Sequence, residues 1–184
     1  MFRTGALPRE STTFEPTSRG GIAARQRSDR LFFEELFPVC SPKLLEGAYP
    51  IRTPADLRRH TLLHLEGETR DETWPDWRMW LSAAGCADID ATPGPRFTQS
   101  MMLVQAAIEG HGVALGPRAI VADDLAAGRL ARPFADAYST RTAFAYYVAS
   151  PEATVDRPKV AAFREWVLAE ARTTPASHVA ALSS

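Results

Sequence analysis

Residues 97–117 read FTQSMMLVQAAIEGHGVALGP, and this stretch decides the fold class. Apolar Phe97 is followed by three polar residues, Thr98, Gln99 and Ser100, of which Thr98 and Ser100 are both candidate helix caps. A helix from Met101 to Glu109 follows, ended by Gly110 and Gly112. Val113 to Leu115 is then entirely apolar, the pattern of a strand buried on both faces. Gly116-Pro117 restarts a helix, RAIVADDLAAG, that stops at Gly128.

Reading outward, the same punctuation recurs. Pro93 to Phe97 is a turn plus a short strand. Thr73-Trp74-Pro75-Asp76 opens a helix to about Ala84, with Trp77, Trp80, Leu81 and Ala84 on one face and Gly85 as its stop. Thr61 to Leu65 reads as a short buried strand. Ser41-Pro42 and Thr53-Pro54 each place a cap before a proline at the first helical position, and Asp56 adds a capping-box acid to the second. Leu31 to Val39 is β-like, although Glu34 and Glu35 break the alternation. On the other side, Leu130 to Phe134 predicts a short strand and Ala143 to Ala149 a longer one. Pro158 opens a last helix carrying Val160, Phe163, Val167 and Ala171 on one face. Strands alternating with helices predict a parallel-rich α/β sheet covered on both faces, whose ligands sit at the carboxyl ends of the strands.

The 184 residues, 45% hydrophobic and 23% charged, predict one domain, or one domain with tails, and exclude wholesale disorder. No apolar run approaches the ~18 residues of a membrane helix, and MFRTGALPRE does not read as a secretory signal. Two cysteines, Cys40 and Cys86, are too few for a disulfide framework, so a reducing, cytoplasmic setting is the expectation. A net charge of −1 argues against strong nucleic-acid binding by this chain alone. Charge is uneven, since residues 1–30 hold six arginines and three acids. Twelve of those thirty are Gly, Pro, Ser or Thr, which predicts that residues 1–28 are disordered or a non-native-looking segment; residues 173–184 read as a flexible tail.

Catalytic signatures are absent from the sequence: there is no GxSxG, Walker loop, GxGxxG or HExxH, and no catalytic residue, cofactor or metal ligand is expected. His60 and His64 are four apart, but TLLHL reads as a strand, which holds two such rings far from each other. Glu66, Glu68, Asp71 and Glu72 form one acidic loop, read as solvated; a glycosidase would need two converging elements. Trp74, Trp77 and Trp80 read as packing rather than a stacking platform. The best functional candidate is Thr98-Gln99-Ser100. A helix start presents free N–H groups and hydroxyls to an anion such as a small carboxylate, and plain N-capping would use the same atoms equally well.

Taken together, FPVCSPKLL (37–45), PADLRRHTLLH (54–64), WRMWLSAAG (77–85), the 97–117 stretch, LAAGRLARPF (125–134) and KVAAFREWVLAEA (159–171) resemble the effector-sensing domain of LysR-type transcriptional regulators, in particular the glycine-cleavage-activator-like branch. The resemblance covers residues 31 to about 172 in order. It implies an α/β, periplasmic-binding-protein-like (type 2) effector domain. The second subdomain would be nearly complete over 39–143, and the first partial, from 29–38 and 144–172. Family members begin with a winged helix-turn-helix, so the expectation is an N-terminally truncated regulator that reaches DNA only through a domain absent here.

Carried over, the ligand-binding positions are Thr98, Gln99 and Ser100, with His64 and Glu66 after the preceding strand. The implied partners are a small-molecule effector and, through the apolar face of the last helix, a second copy in self-association; no membrane is implied. The competing readings are a stand-alone small-molecule binding protein and an α/β enzyme.

Overall fold

The computed structural model describes residues 12–13, 26–66, 74–134 and 138–173. The chain forms two compact units, one of residues 33–144 and the other of residues 1–32 with 145–184.

In the larger unit, the second half of β2 (Gln26–Val39) joins β3 (Leu62–Leu65), β4 (Arg96–Phe97) and β5 (Val113–Pro117) in the order β2-β5-β3-β4. β3 runs parallel to β5, with Leu62 opposite Val113, and parallel to β4, with His64 opposite Arg96. β2 runs antiparallel to β5, with Leu36 opposite Pro117 and Val39 opposite Ala114. The sheet is therefore mixed where a parallel-rich one is predicted, because an apolar run looks the same in either direction. All five residues of β5 are buried, as their composition requires. Just before it, a Cβ on Gly112 would lie 2.4 Å from the Thr61 carbonyl, so only glycine lets β5 approach β3 here.

Alternation along the strands separates two cores. Leu36 and Leu62 face one, with Leu57, Trp77, Trp80 and Leu81; Phe37 and Leu63 face the other, with Leu103, Val104, Ala107 and Val121. Helix α2 (Trp77–Ala83) supplies the first core as its tryptophan spacing predicts. Trp77 donates Nε1–H to the Leu63 carbonyl at 2.9 Å, and Trp80 to that of Tyr138 at 2.8 Å, so both indoles are buried with their polar atoms satisfied. Asp76 caps this helix, accepting from the Met79 N–H at 2.7 Å. Helices α3 (Ser100–Ile108) and α4 (Arg118–Ala126) supply the second core.

Three local expectations are corrected. Ser41 does not cap α1 (Lys43–Glu46) with its side chain; Pro42 is the cap residue and Ser41 contributes its carbonyl to the Leu44 N–H. Thr53 and Asp56 do form a capping box, but on a 3₁₀ helix, Pro54–Arg59, and the N–H groups of Thr53 and Arg52 hold the Asp56 carboxyl below its ordinary value. Residues 130–134 make only an isolated bridge between Ala131 and Cys40, since Pro133 has no N–H to extend a ladder.

In the smaller unit, strand begins at Gln26, inside the segment predicted to be disordered, and the short β1 (Thr12–Thr13) pairs with Arg27 and Ser28. β6 (Thr140–Pro151) also pairs with β2, and both strands run through the two units. Helix α5 (Pro158–Thr173) is tied to β2 by Arg164, whose Nε and Nη2 donate to Asp29 at 2.6 and 3.1 Å. Both side chains are about 15% exposed or less. The hydrogen bond from Arg164, then its charge and that of Arg27, hold the Asp29 carboxyl below its usual range against the opposing effect of burial.

A carboxyl with a depressed folded-state pKa stabilises above its unfolded value and loses that contribution as pH falls through the folded one. Arg164→Leu is therefore expected to weaken protection of α5 amides at pH 7, by about 2 kcal/mol. The difference from wild type should shrink as pH drops below the ordinary aspartate range. Hydrogen exchange read at both pH values checks this. On the same helix, Phe163 and Trp166 are 59% and 58% exposed, whereas Val160, Val167 and Ala171, expected with Phe163 on one apolar face, are half-buried.

Candidate functional site

Because β3, β4 and β5 are parallel, their carboxyl ends share one edge of the sheet. The candidate residues gather there. His64 and Glu66 sit at and just past the end of β3, and Thr98, Gln99 and Ser100 follow directly on β4. The β3–β4 ladder fixes them side by side, with Leu65 opposite Phe97 and the Glu66 N–H donating to the Phe97 carbonyl at 2.7 Å.

His64 is half-buried. Its Nε2 lies 3.2 Å from the Pro93 carbonyl; a carbonyl only accepts, so Nε2 is the donor there. His60, by contrast, caps the 3₁₀ helix, with Nε2 2.9 Å from the Tyr49 carbonyl, so the two rings serve separate places. Glu66 accepts from Arg96 Nη1 at 2.7 Å. Sequence reasoning missed Arg96, whose signal would have been its place on β4 opposite His64. It missed as well the Arg118–Glu35 pair, 3.1 Å apart, where β5 gives way to α4. Glu68, Asp71 and Glu72 lie outside the described residues.

Neither Thr98 nor Ser100 caps α3. The cap residue is Gln99, which makes no side-chain cap bond and gives only its carbonyl, to the Leu103 N–H at 3.2 Å. The N–H groups of Ser100, Met101 and Met102 have no acceptor within the helix, and the side chain of the cap residue Gln99 makes no bond to them. Thr98 and Gln99 are exposed and Ser100 half-buried, at the start of the helix that follows β4. Such a helix start favours an anion.

No group of three or more His, Cys, Asp or Glu converges as a metal site among the described residues. Burial pushes the Cys40 thiol up to about 12, which leaves it without thiolate character at neutral pH.

The LysR substrate binding domain family matches residues 21–172. The chain belongs to this family. The glycine cleavage system transcriptional activator of Escherichia coli K12 is 41% identical over 145 residues, covering 79% of this chain and 45% of that protein. The activator AmpR of Pseudomonas aeruginosa is 36% identical over 139 residues, covering 75% of this chain and 43% of AmpR. The chain thus spans about half the length of these relatives or slightly less. The solved effector domain of P. aeruginosa AmpR is 32% identical with a TM-score of 0.59, covering 80% of this chain and 66% of that one. The effector-binding domain of Citrobacter freundii AmpR is 26% identical with a TM-score of 0.60, covering 80% and 68%. The chain is a LysR-type effector-binding domain of the periplasmic-binding-protein-like (type 2) α/β fold. No helix among the described residues is long and apolar enough to cross a membrane.

Proposed function

We propose that this LysR-type domain binds a small carboxylate or amino-acid-like effector at the carboxyl edge of β3 and β4. The carrying observation is the uncapped start of α3, where Ser100, Met101 and Met102 hold three N–H groups beside the Thr98 and Ser100 hydroxyls. Placed there, a carboxylate takes charge-assisted hydrogen bonds from donors that the helix itself leaves unpaired. The His64 ring and the Gln99 amide supply neighbouring polar contacts, and Arg96 balances Glu66 so that the edge does not repel an anion. The domain works as a sensor without chemistry of its own. On this reading it acts in the cytoplasm and engages DNA through another part of a longer regulator, and the exposed Phe163–Trp166 face of α5 serves assembly.

The test is calorimetric titration of the chain with a panel of amino acids and short carboxylates. Thr98→Ala with Ser100→Ala is expected to weaken binding of the best ligand about tenfold or more, the worth of one charge-assisted hydrogen bond. Because neither side chain caps the helix, the thermal midpoint should stay within a few degrees of wild type. Unchanged binding in the double variant contradicts the proposal.

A further inference from the structure

The last helix, α5, is held to the smaller unit by one face. At 3.6 residues per turn Val160, Arg164, Val167 and Ala171 share that face; all four are half-buried, and Arg164 ties it to Asp29 on β2. The opposite face, centred on Trp166, therefore points outward. Phe163 and Trp166 are each more than half exposed there, with ring centroids 5.9 Å apart, and form one contiguous apolar patch. Lys159, Ala162, Ala169 and Glu170 lie around them on the same face, all exposed. Two adjacent aromatic rings in water are a favourable surface to bury.

The order of these residues says what buries them. Lys159 and Glu170 flank the aromatic pair from opposite ends, and the midpoint between them coincides with the midpoint between Phe163 and Trp166, at the Arg164–Glu165 step. Turning the helix end for end about that point exchanges cation with anion and Phe with Trp. The face is therefore complementary to a reversed copy of itself, the condition for a two-fold interface in which residue i meets j and j meets i. A parallel pairing would instead set Lys159 on Lys159 and Glu170 on Glu170. Ala162 and Ala169, small beside the two rings, leave room for the helix axes to approach to about 8–10 Å.

We propose that α5 docks antiparallel on α5 of a second copy of this chain, with Phe163 of each copy against Trp166 of the other and Lys159 of each against Glu170 of the other. This rests on the assembly role given above to the Phe163–Trp166 face and specifies its partner and register. A single helix pair falls well short of the ~1,600 Å² of a standard interface, so the dimer is weak, forming at concentrations on the order of 100 µM.

Analytical ultracentrifugation of the full chain over a wide range of concentrations is the test. Wild type should pass from monomer to dimer. Trp166→Asp should weaken association about tenfold or more, with its thermal midpoint at low concentration unchanged. Lys159→Glu and Glu170→Lys each turn two attractive pairs into repulsive ones, and each should weaken association about fivefold. Lys159→Glu combined with Glu170→Lys should return to within about twofold of wild type. Within one copy the two positions are about 16 Å apart along the helix, so this rescue arises only between copies. A wild type that stays monomeric, or a dimer indifferent to Trp166→Asp, overturns both this pairing and the assembly role of the face. Weakening by Trp166→Asp without rescue in the double charge variant keeps the assembly role and overturns the antiparallel register. If Trp166→Asp melts low, the charge variants alone decide. None of these outcomes bears on the α3 site, which Thr98→Ala with Ser100→Ala tests separately.

Discussion

Trp80→Ala should cost the larger unit about 3–5 kcal/mol. Trp80 is 2% exposed, stacks on Phe134 at 5.6 Å, meets Trp77 edge-on at 5.6 Å and donates to the Tyr138 carbonyl. Truncation removes three contacts at once and orphans that carbonyl. Against a total stability of ~5–15 kcal/mol, the loss takes a large share. Urea unfolding followed by far-UV circular dichroism should show the midpoint falling steeply. Trp166→Ala is the internal control. That indole is 58% exposed, and its loss should change stability by no more than about 0.5 kcal/mol. Equal effects would mean that the tryptophan helix is not the centre of the core.

Gly94→Ala should damage fold and site together. Gly94 has φ +139°, which alanine rarely adopts, and a Cβ there would collide with the Leu62 carbonyl and stand 3.1 Å from the His64 ring. The turn carrying Pro93, Pro95 and Arg96 would have to move off β3. That would break the bonds from His64 Nε2 to Pro93 and from the His64 N–H to Pro95. Strain and lost hydrogen bonds together predict destabilisation of about 3 kcal/mol. Effector affinity should fall with it, because β4 sets the position of Thr98. Gly85→Ala makes a useful comparison: its φ is +75° but its Cβ would meet nothing within 4 Å, so only the backbone cost of about 1 kcal/mol applies.

Much of this could be read from residues alone, where the signal is local. Asp76 before the tryptophan helix, Pro158 opening α5 and the unbroken apolar run of β5 each state their own structure, and each forms as expected. The grouping of His64, Glu66 and Thr98–Ser100 at one edge came from the family resemblance, and the parallel β3–β4 ladder brings them together.

What escaped depends on distant partners. Gln26 to Arg30, QRSDR, has no apolar alternation; it is a strand because Asp29 meets Arg164, 135 residues away, and because β1 lies alongside. Glu34 looked like a break in a strand pattern and is a buried carboxylate, since burial there is set by pairing of β2 with β5 and β6 rather than by residue type. Capping failed in a different way. Ser41 and Thr98 have the right chemistry, but a cap position can be filled by backbone alone, and the sequence does not distinguish a hydroxyl that closes a helix from one left open.

The central claim is that the open N–H groups at the start of α3 are the effector's receptor. Amide chemical shifts of the ¹⁵N-labelled chain, followed while the best-binding amino acid or carboxylate is titrated in, read those groups directly. The account predicts saturable shifts largest at Ser100, Met101 and Met102, with smaller ones at Gln99 and His64. Saturable shifts that leave 98–102 unmoved and gather on another surface would contradict it.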